Sequence, residues 1–204
     1  MDSVLHFNTS GNPAAVCNKY SQLSPEHQKR IAGRGLLYNN WTERTCRTMS
    51  AKNATNVLGY PAKSGGIMFC GYNNQYQFRP DDPWESEDGK CPKYRTPKGG
   101  YDALLLRCLT DDVYWNPDSL KEACWKVNGH PCILLTEGGF KAIAGCSNDI
   151  PTIALLGVEM GLTGKDAEGK RHLVPTLKKY AEAGLGFIIA FDADATTNPD
   201  IRRA

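Results

Sequence analysis

Residues 132–142 read Cys132-Ile133-Leu134-Leu135-Thr136-Glu137-Gly138-Gly139-Phe140-Lys141-Ala142. A continuous apolar run ending in an acid, then two glycines, then apolar residues at helical spacing predicts a buried strand, a tight turn and a helix over Phe140 to Cys146. Downstream, Thr152 to Leu156 predicts a second strand, His172 to Ala183 a helix and Gly186 to Phe191 a third strand. Continuous apolar strands alternating with amphipathic helices define an α/β class with a parallel sheet and flanking helices.

Acids close two of these strands. Glu137 follows the first directly, and Asp192 and Asp194 follow the third in Phe191-Asp192-Ala193-Asp194. Right-handed crossovers put the carboxyl ends of all parallel strands on one edge, so the three carboxylates can meet in one crevice. Clustered like charges are costly unless a cation relieves them. Oxygen ligands without His or Cys favour Mg²⁺ or Mn²⁺, ions that bridge phosphate oxygens in phosphoryl transfer. Gly138 and Gly139 would let a phosphate approach the outward-facing N–H groups of the helix N-terminus. Spacing alone leaves a second possibility equally open, in which Glu137 caps the helix and the aspartates are solvated loop residues.

Upstream, Ser24-Pro25-Glu26 marks a helix start and Gly33 and Gly35 its end. Further helices are expected over Trp41 to Met49, over Ala54 to Leu58, and from Asn116-Pro117 to Gly129, with Leu120, Cys124 and Val127 on one face. Ile67 to Cys70 and Tyr76 to Phe78 read as strands joined by the turn-rich Gly71-Tyr72-Asn73-Asn74. Arg79, Lys90, Lys93, Arg95 and Lys98 are interleaved with Tyr72, Tyr76, Phe78, Tyr94 and Tyr101. That mixture suits a single strand, with cations for phosphates and rings for bases, although a solvated loop beside core aromatics has the same composition. Lys141, one turn after Glu137, is a candidate phosphate contact or partner for a site acid.

A chain of 204 residues allows one or two domains, and an apolar share of 41% is enough for a core. Net charge is +2, so global electrostatics neither demand nor exclude nucleic acid. No apolar run is long enough to span a membrane and no leader pattern opens the chain, which reads as cytoplasmic. The eight cysteines are scattered singly without zinc-type spacing, and buried free thiols are the expectation. His6, His27, His130 and His172 are isolated from one another.

Thr136-Glu137-Gly138 with Phe140-Lys141-Ala142, then Ile153 to Val158, then Phe191-Asp192-Ala193-Asp194, resembles the TOPRIM domain shared by bacterial primases, topoisomerases and related nucleases. Gly66 to Phe69, Tyr76 to Arg79 and Pro92-Lys93-Tyr94-Arg95-Thr96-Pro97 are similar to the segment that precedes it in bacterial primases. Taken whole, the chain resembles the uncharacterised N-terminal domain of cyanobacterial plasmid replication proteins, which a helicase module often follows. It departs from bacterial primases in Gly139, in Asp192-Ala193-Asp194, and in lacking a preceding zinc module.

The resemblance implies a helical lead-in over residues 1–58, a primase-like β/helical segment over 59–130, and a TOPRIM-like domain over 131–204, truncated before its last elements. It implies Mg²⁺-dependent primase-like nucleotidyl transfer on single-stranded DNA in plasmid or phage replication. Glu137, Asp192 and Asp194 would be catalytic and metal-binding. Arg79, Lys93, Tyr94, Arg95, Lys98 and Lys141 would hold template or nucleotide. Alternatives are a non-catalytic DNA-binding module of a replication initiator or helicase, and a TOPRIM nuclease.

Overall fold

A computed structural model describes residues 22–86, 89–99 and 101–192. Helix α1 (Pro25–Ala32) starts where Ser24 accepts the His27 N–H. Helix α2 (Asn40–Thr45) is closed by a capping box between Asn39 and Thr42. Strand β1 (Cys46–Met49), helix α3 (Ala51–Leu58), strand β2 (Gly66–Cys70) and strand β3 (Tyr76–Pro80) follow. Then come α4 (Asp111–Tyr114), α5 (Pro117–Ala123), β4 (Trp125–Val127), β5 (His130–Glu137), α6 (Gly139–Cys146), β6 (Thr152–Leu155), α7 (Pro175–Glu182) and β7 (Gly186–Ala190).

The strands form two sheets. The first is antiparallel in the order β1-β2-β3. In the second, β5 pairs in parallel with β6 and with β7, so the strand that comes first in sequence lies between the other two. Winding therefore reverses at β5, which makes its carboxyl end a topological switch point, the usual place for a ligand crevice in an open α/β sheet. The short β4 runs antiparallel to the start of β5. The chain is thus mixed α/β with one antiparallel and one mostly parallel sheet.

Two expected helices end early, each for a physical reason. The one expected over Trp41 to Met49 stops at Thr45, because Cys46 turns extended and residues 46–49 pair with β2. The one expected to reach Gly129 stops at Ala123. Asn128 and Gly129 both have positive φ, 50° and 82°, and join β4 to β5 as a two-residue hairpin turn. Asn-Gly was a hairpin signal, not a helix end, and Val127 lies on a strand. Helix α7 begins at Pro175, three residues later than expected. The Asp102 carboxylate accepts the N–H and hydroxyl of Thr176 there and caps it from a distance.

The first sheet divides its side chains between two cores. Met68, Cys70 and Phe78 point to a cluster with Ala54 and Leu58 of α3. Cys46, Ile67 and Phe69 point to the main core, where one cluster runs from Leu23 through Trp115 to Leu185. The segment around Leu104 ties the sheets together. Leu104 and Ala154 of β6 exchange backbone hydrogen bonds of 2.8 and 3.1 Å, while the Leu105 carbonyl accepts the Tyr72 N–H.

All seven described cysteines are free thiols, five of them buried. Burial pushes the Cys46 thiol far up, Cys146 to about 12 and Cys124 to about 11. At pH 8 a colorimetric thiol reagent with peptide mapping should label exposed Cys91 on mixing. Cys46, Cys124 and Cys146 should react only as the chain unfolds; rapid labelling of Cys46 in the native state would contradict the packing. No helix among the described residues is long and apolar enough to cross a membrane.

Candidate functional site

The register of the second sheet fixes its acids. Thr136 of β5 is level with Ala190 of β7, so Glu137 is level with Phe191 and Asp192 follows one residue on. Glu137 and Asp192 line one cleft of about 670 Å³. Asp194 lies outside the described residues.

The rest of the lining comes from α6, from the first sheet and from the chain beside it. Arg79 on β3, the segment Pro92 to Tyr94, Arg34 after α1 and Lys141 of α6 line the cleft together with the two carboxylates. The Arg79 guanidinium lies 5.1 Å from the Tyr94 ring centroid and 6.0 Å from that of Phe140. Arg34 lies 5.1 Å from the Phe140 centroid on its own account. Such stacking holds a cation in place without neutralising it. Arg34, Arg79 and Lys93 have no acidic partner among the described residues, and Arg79 Nε is buried without an acceptor.

Lys141 Nζ sits 2.7 Å from Asp192 Oδ1. Glu137, half-buried, has no ionic or hydrogen-bond partner among the described residues. The cleft therefore joins an available carboxylate, a neutralised one and three uncommitted cations.

The two glycines after Glu137 serve packing. The Gly139 N–H donates to the side-chain carbonyl of buried Gln77 at 2.9 Å, and the Gly138 N–H donates to the Leu155 carbonyl at 3.0 Å. A Cβ on Gly139 would lie 2.4 Å from the Phe69 ring. Two of the N–H groups expected to face a phosphate are therefore taken, that of Gly139 by β3 and that of Gly138 by β6, and Gly139 lets β2 press against α6. Gly138, at φ 83°, supplies the turn itself.

Sequence grouped Arg95 and Lys98 with Lys93 and Tyr94, but the structure separates them. An isolated bridge between Phe78 and Arg95 sets residue 95 beside β3, and Tyr94 and Arg95 point to opposite faces there. Tyr94 faces the cleft. Arg95, 9% exposed, faces the α3 side, where it lies 4.7 Å from the Trp84 centroid and donates to the Trp84 carbonyl. Lys98 is on that side too, 6.0 Å from the Tyr60 ring. Arg34 and Gln77 were missed. Arg34 carries no local motif, and Gln77 looks like any polar residue in an alternating strand.

His27 bridges Thr48 and Asp81 at 2.7 and 3.0 Å, a clasp between α1 and the first sheet. The basic residues Lys165, Lys170, Arg171, Lys178 and Lys179 are exposed, with Lys170 paired to Glu168 and Lys178 to Glu182.

The fold and this cleft define an open α/β protein with a charged site at the carboxyl edge of its parallel strands. Residues 124–204, the part carrying β4 to β7, match the family model described as a domain of unknown function (DUF3854). No curated protein and no solved structure matches the chain.

Among the described residues no three His, Cys, Asp or Glu side chains are grouped to hold a metal ion. The donors present at the edge, Glu137 and Asp192, are carboxylates only. That donor set fits Mg²⁺ or Mn²⁺ and not zinc, with the condition that Lys141 release Asp192.

Proposed function

We propose that the chain is a primase-like component of a plasmid or phage replication system, with residues 131–204 forming a TOPRIM-type domain. Its cleft would take single-stranded DNA and a nucleotide for Mg²⁺-dependent nucleotidyl transfer. The observation that carries this reading is the cleft itself, which gathers Glu137 and Asp192 with Arg79, Lys93 and Tyr94 in one lining. Arg34, Arg79 and Lys93 offset phosphate charge, and Tyr94 offers a stacking face for a base. Glu137 and Asp192, with Asp194 by the family resemblance, would hold the cation. A bound Mg²⁺ or Mn²⁺ supplies charge stabilisation on the phosphoryl oxygens. Lys141, which now holds Asp192 at 2.7 Å, would be available to a phosphate if a cation were bound there. A helicase module in the same full-length protein would be the partner.

A second reading, a strand-binding module without catalysis, is favoured by one observation: Lys141 already neutralises Asp192. Both readings require the cleft to bind a single strand. Arg79→Ala with Lys93→Ala should weaken binding with little sequence dependence. The double variant should also reduce the salt slope by about 0.7 per lost phosphate contact on a log-log plot. Anisotropy titrations at several salt concentrations measure it, and an unchanged slope would remove nucleic acid from the cleft.

A further inference from the structure

On the other face of the first sheet lies a recess of about 580 Å³, lined by Tyr60, Lys63, Trp84, Glu85, Arg95 and Lys98. Its floor contains an anomaly. Arg95 is 9% exposed, yet no carboxylate lies within ion-pair distance of it among the described residues, and its Nε is buried without an acceptor. Its hydrogen bond goes to a neutral carbonyl, that of Trp84. A buried charge is costly unless it is paired, so Arg95 is suited to receive an anion entering the recess. Lys63 and Lys98 add two further cations without acidic partners among the described residues, against Glu85, which is exposed on the rim. Half-buried Trp84 and Tyr60 supply rings beside these charges.

The recess and the cleft share one wall. Along the segment 92–98, Lys93 and Tyr94 line the cleft while Arg95 and Lys98 line the recess. A ligand whose negative charges repeat along a flexible chain can engage both sides of that wall. A free nucleotide reaches only one.

We propose that the recess is a second contact for single-stranded nucleic acid, with phosphate against Arg95 and Lys98 and a base against Trp84 or Tyr60. A strand leaving the cleft crosses the 92–98 segment to reach it. The choice of polymer rests on the proposed function of the cleft; the anionic character of the ligand rests on Arg95.

The test uses the full-length protein with labelled oligothymidylates of about 4 and about 16 nucleotides, the range of single-strand site sizes. Lys63→Ala with Lys98→Ala, both at exposed positions, should weaken the long strand at least about tenfold, because a bridged second contact is lost. It should also lower the salt slope by up to about 1.4. The short strand, which fills one site at a time, should change less than about twofold. A strand carrying 5-iodouracil should photo-cross-link to Trp84 or Tyr60.

Equal effects on both lengths, or none, with cross-links confined to Tyr94, would overturn the second contact and leave the cleft reading intact. A loss with the recess variant but none with Arg79→Ala and Lys93→Ala would do the reverse, sustaining the recess and removing the cleft. Binding of acidic peptide in preference to the long strand would also overturn the proposal.

Discussion

Asp192→Asn is expected to lower Mg²⁺-dependent nucleotide incorporation by the full-length protein on the order of a hundredfold, the usual scale for losing one transition-state stabilising group. The change keeps the size of the side chain and removes a negative oxygen. Single-strand affinity should move the other way. Asp192 holds Lys141 at 2.7 Å, so the amide frees an ammonium for phosphate, and binding should stay equal or tighten a few-fold. Glu137→Gln should cause a similar loss of incorporation without freeing any cation. A parallel fall in binding and chemistry would mean that the acids act through folding or docking alone. Steady-state incorporation beside anisotropy separates the outcomes.

Gly139→Ala should cost about 2 kcal/mol and lower Tm by about 4–8 °C. Its Cβ would lie 2.4 Å from a Phe69 ring atom that is itself fully buried, so neither neighbour can yield without moving β2 from α6. Gln77→Leu tests the same joint from the other side. It strips the acceptor from the Gly139 N–H and the donor from the Leu156 carbonyl, each buried polar group costing about 1–3 kcal/mol when left unsatisfied. Had the glycine served a phosphate, alanine would raise the KM for nucleotide at unchanged stability. Calorimetric unfolding of the two variants decides between the roles.

The difference between those roles marks where sequence reading stopped. Strands β5, β6 and β7 were legible because each is a continuous apolar run bounded by turn residues, and the edge carrying Glu137 and Asp192 follows from parallel pairing. The function of Gly138-Gly139 was not legible, since a glycine that admits a phosphate and one that admits Phe69 look identical in one dimension. Arg95 illustrates a second limit. Its neighbours Lys93 and Tyr94 face the cleft, and only the bridge to Phe78 reveals that residue 95 points to the other side. Arg34 illustrates a third, because it reaches the cleft through the tertiary docking of α1 on the shared core. The Asn128-Gly129 hairpin carries its turn signal in the sequence, but the helical spacing of Leu120, Cys124 and Val127 competes with it.

In the proposed function, Glu137 and Asp192 serve divalent-cation chemistry on a nucleotide held in the same cleft by Arg79 and Lys93. Incorporation of labelled nucleotide on a single-stranded template by the wild-type full-length protein tests it most directly, in Mg²⁺, in Mn²⁺ and with chelator. Extension products that depend on the cation, disappear with chelator and fall with Asp192→Asn are expected. No products under any Mg²⁺ or Mn²⁺ condition, with single-strand binding intact, would contradict it and leave a binding module; cleavage of the template instead would identify a nuclease.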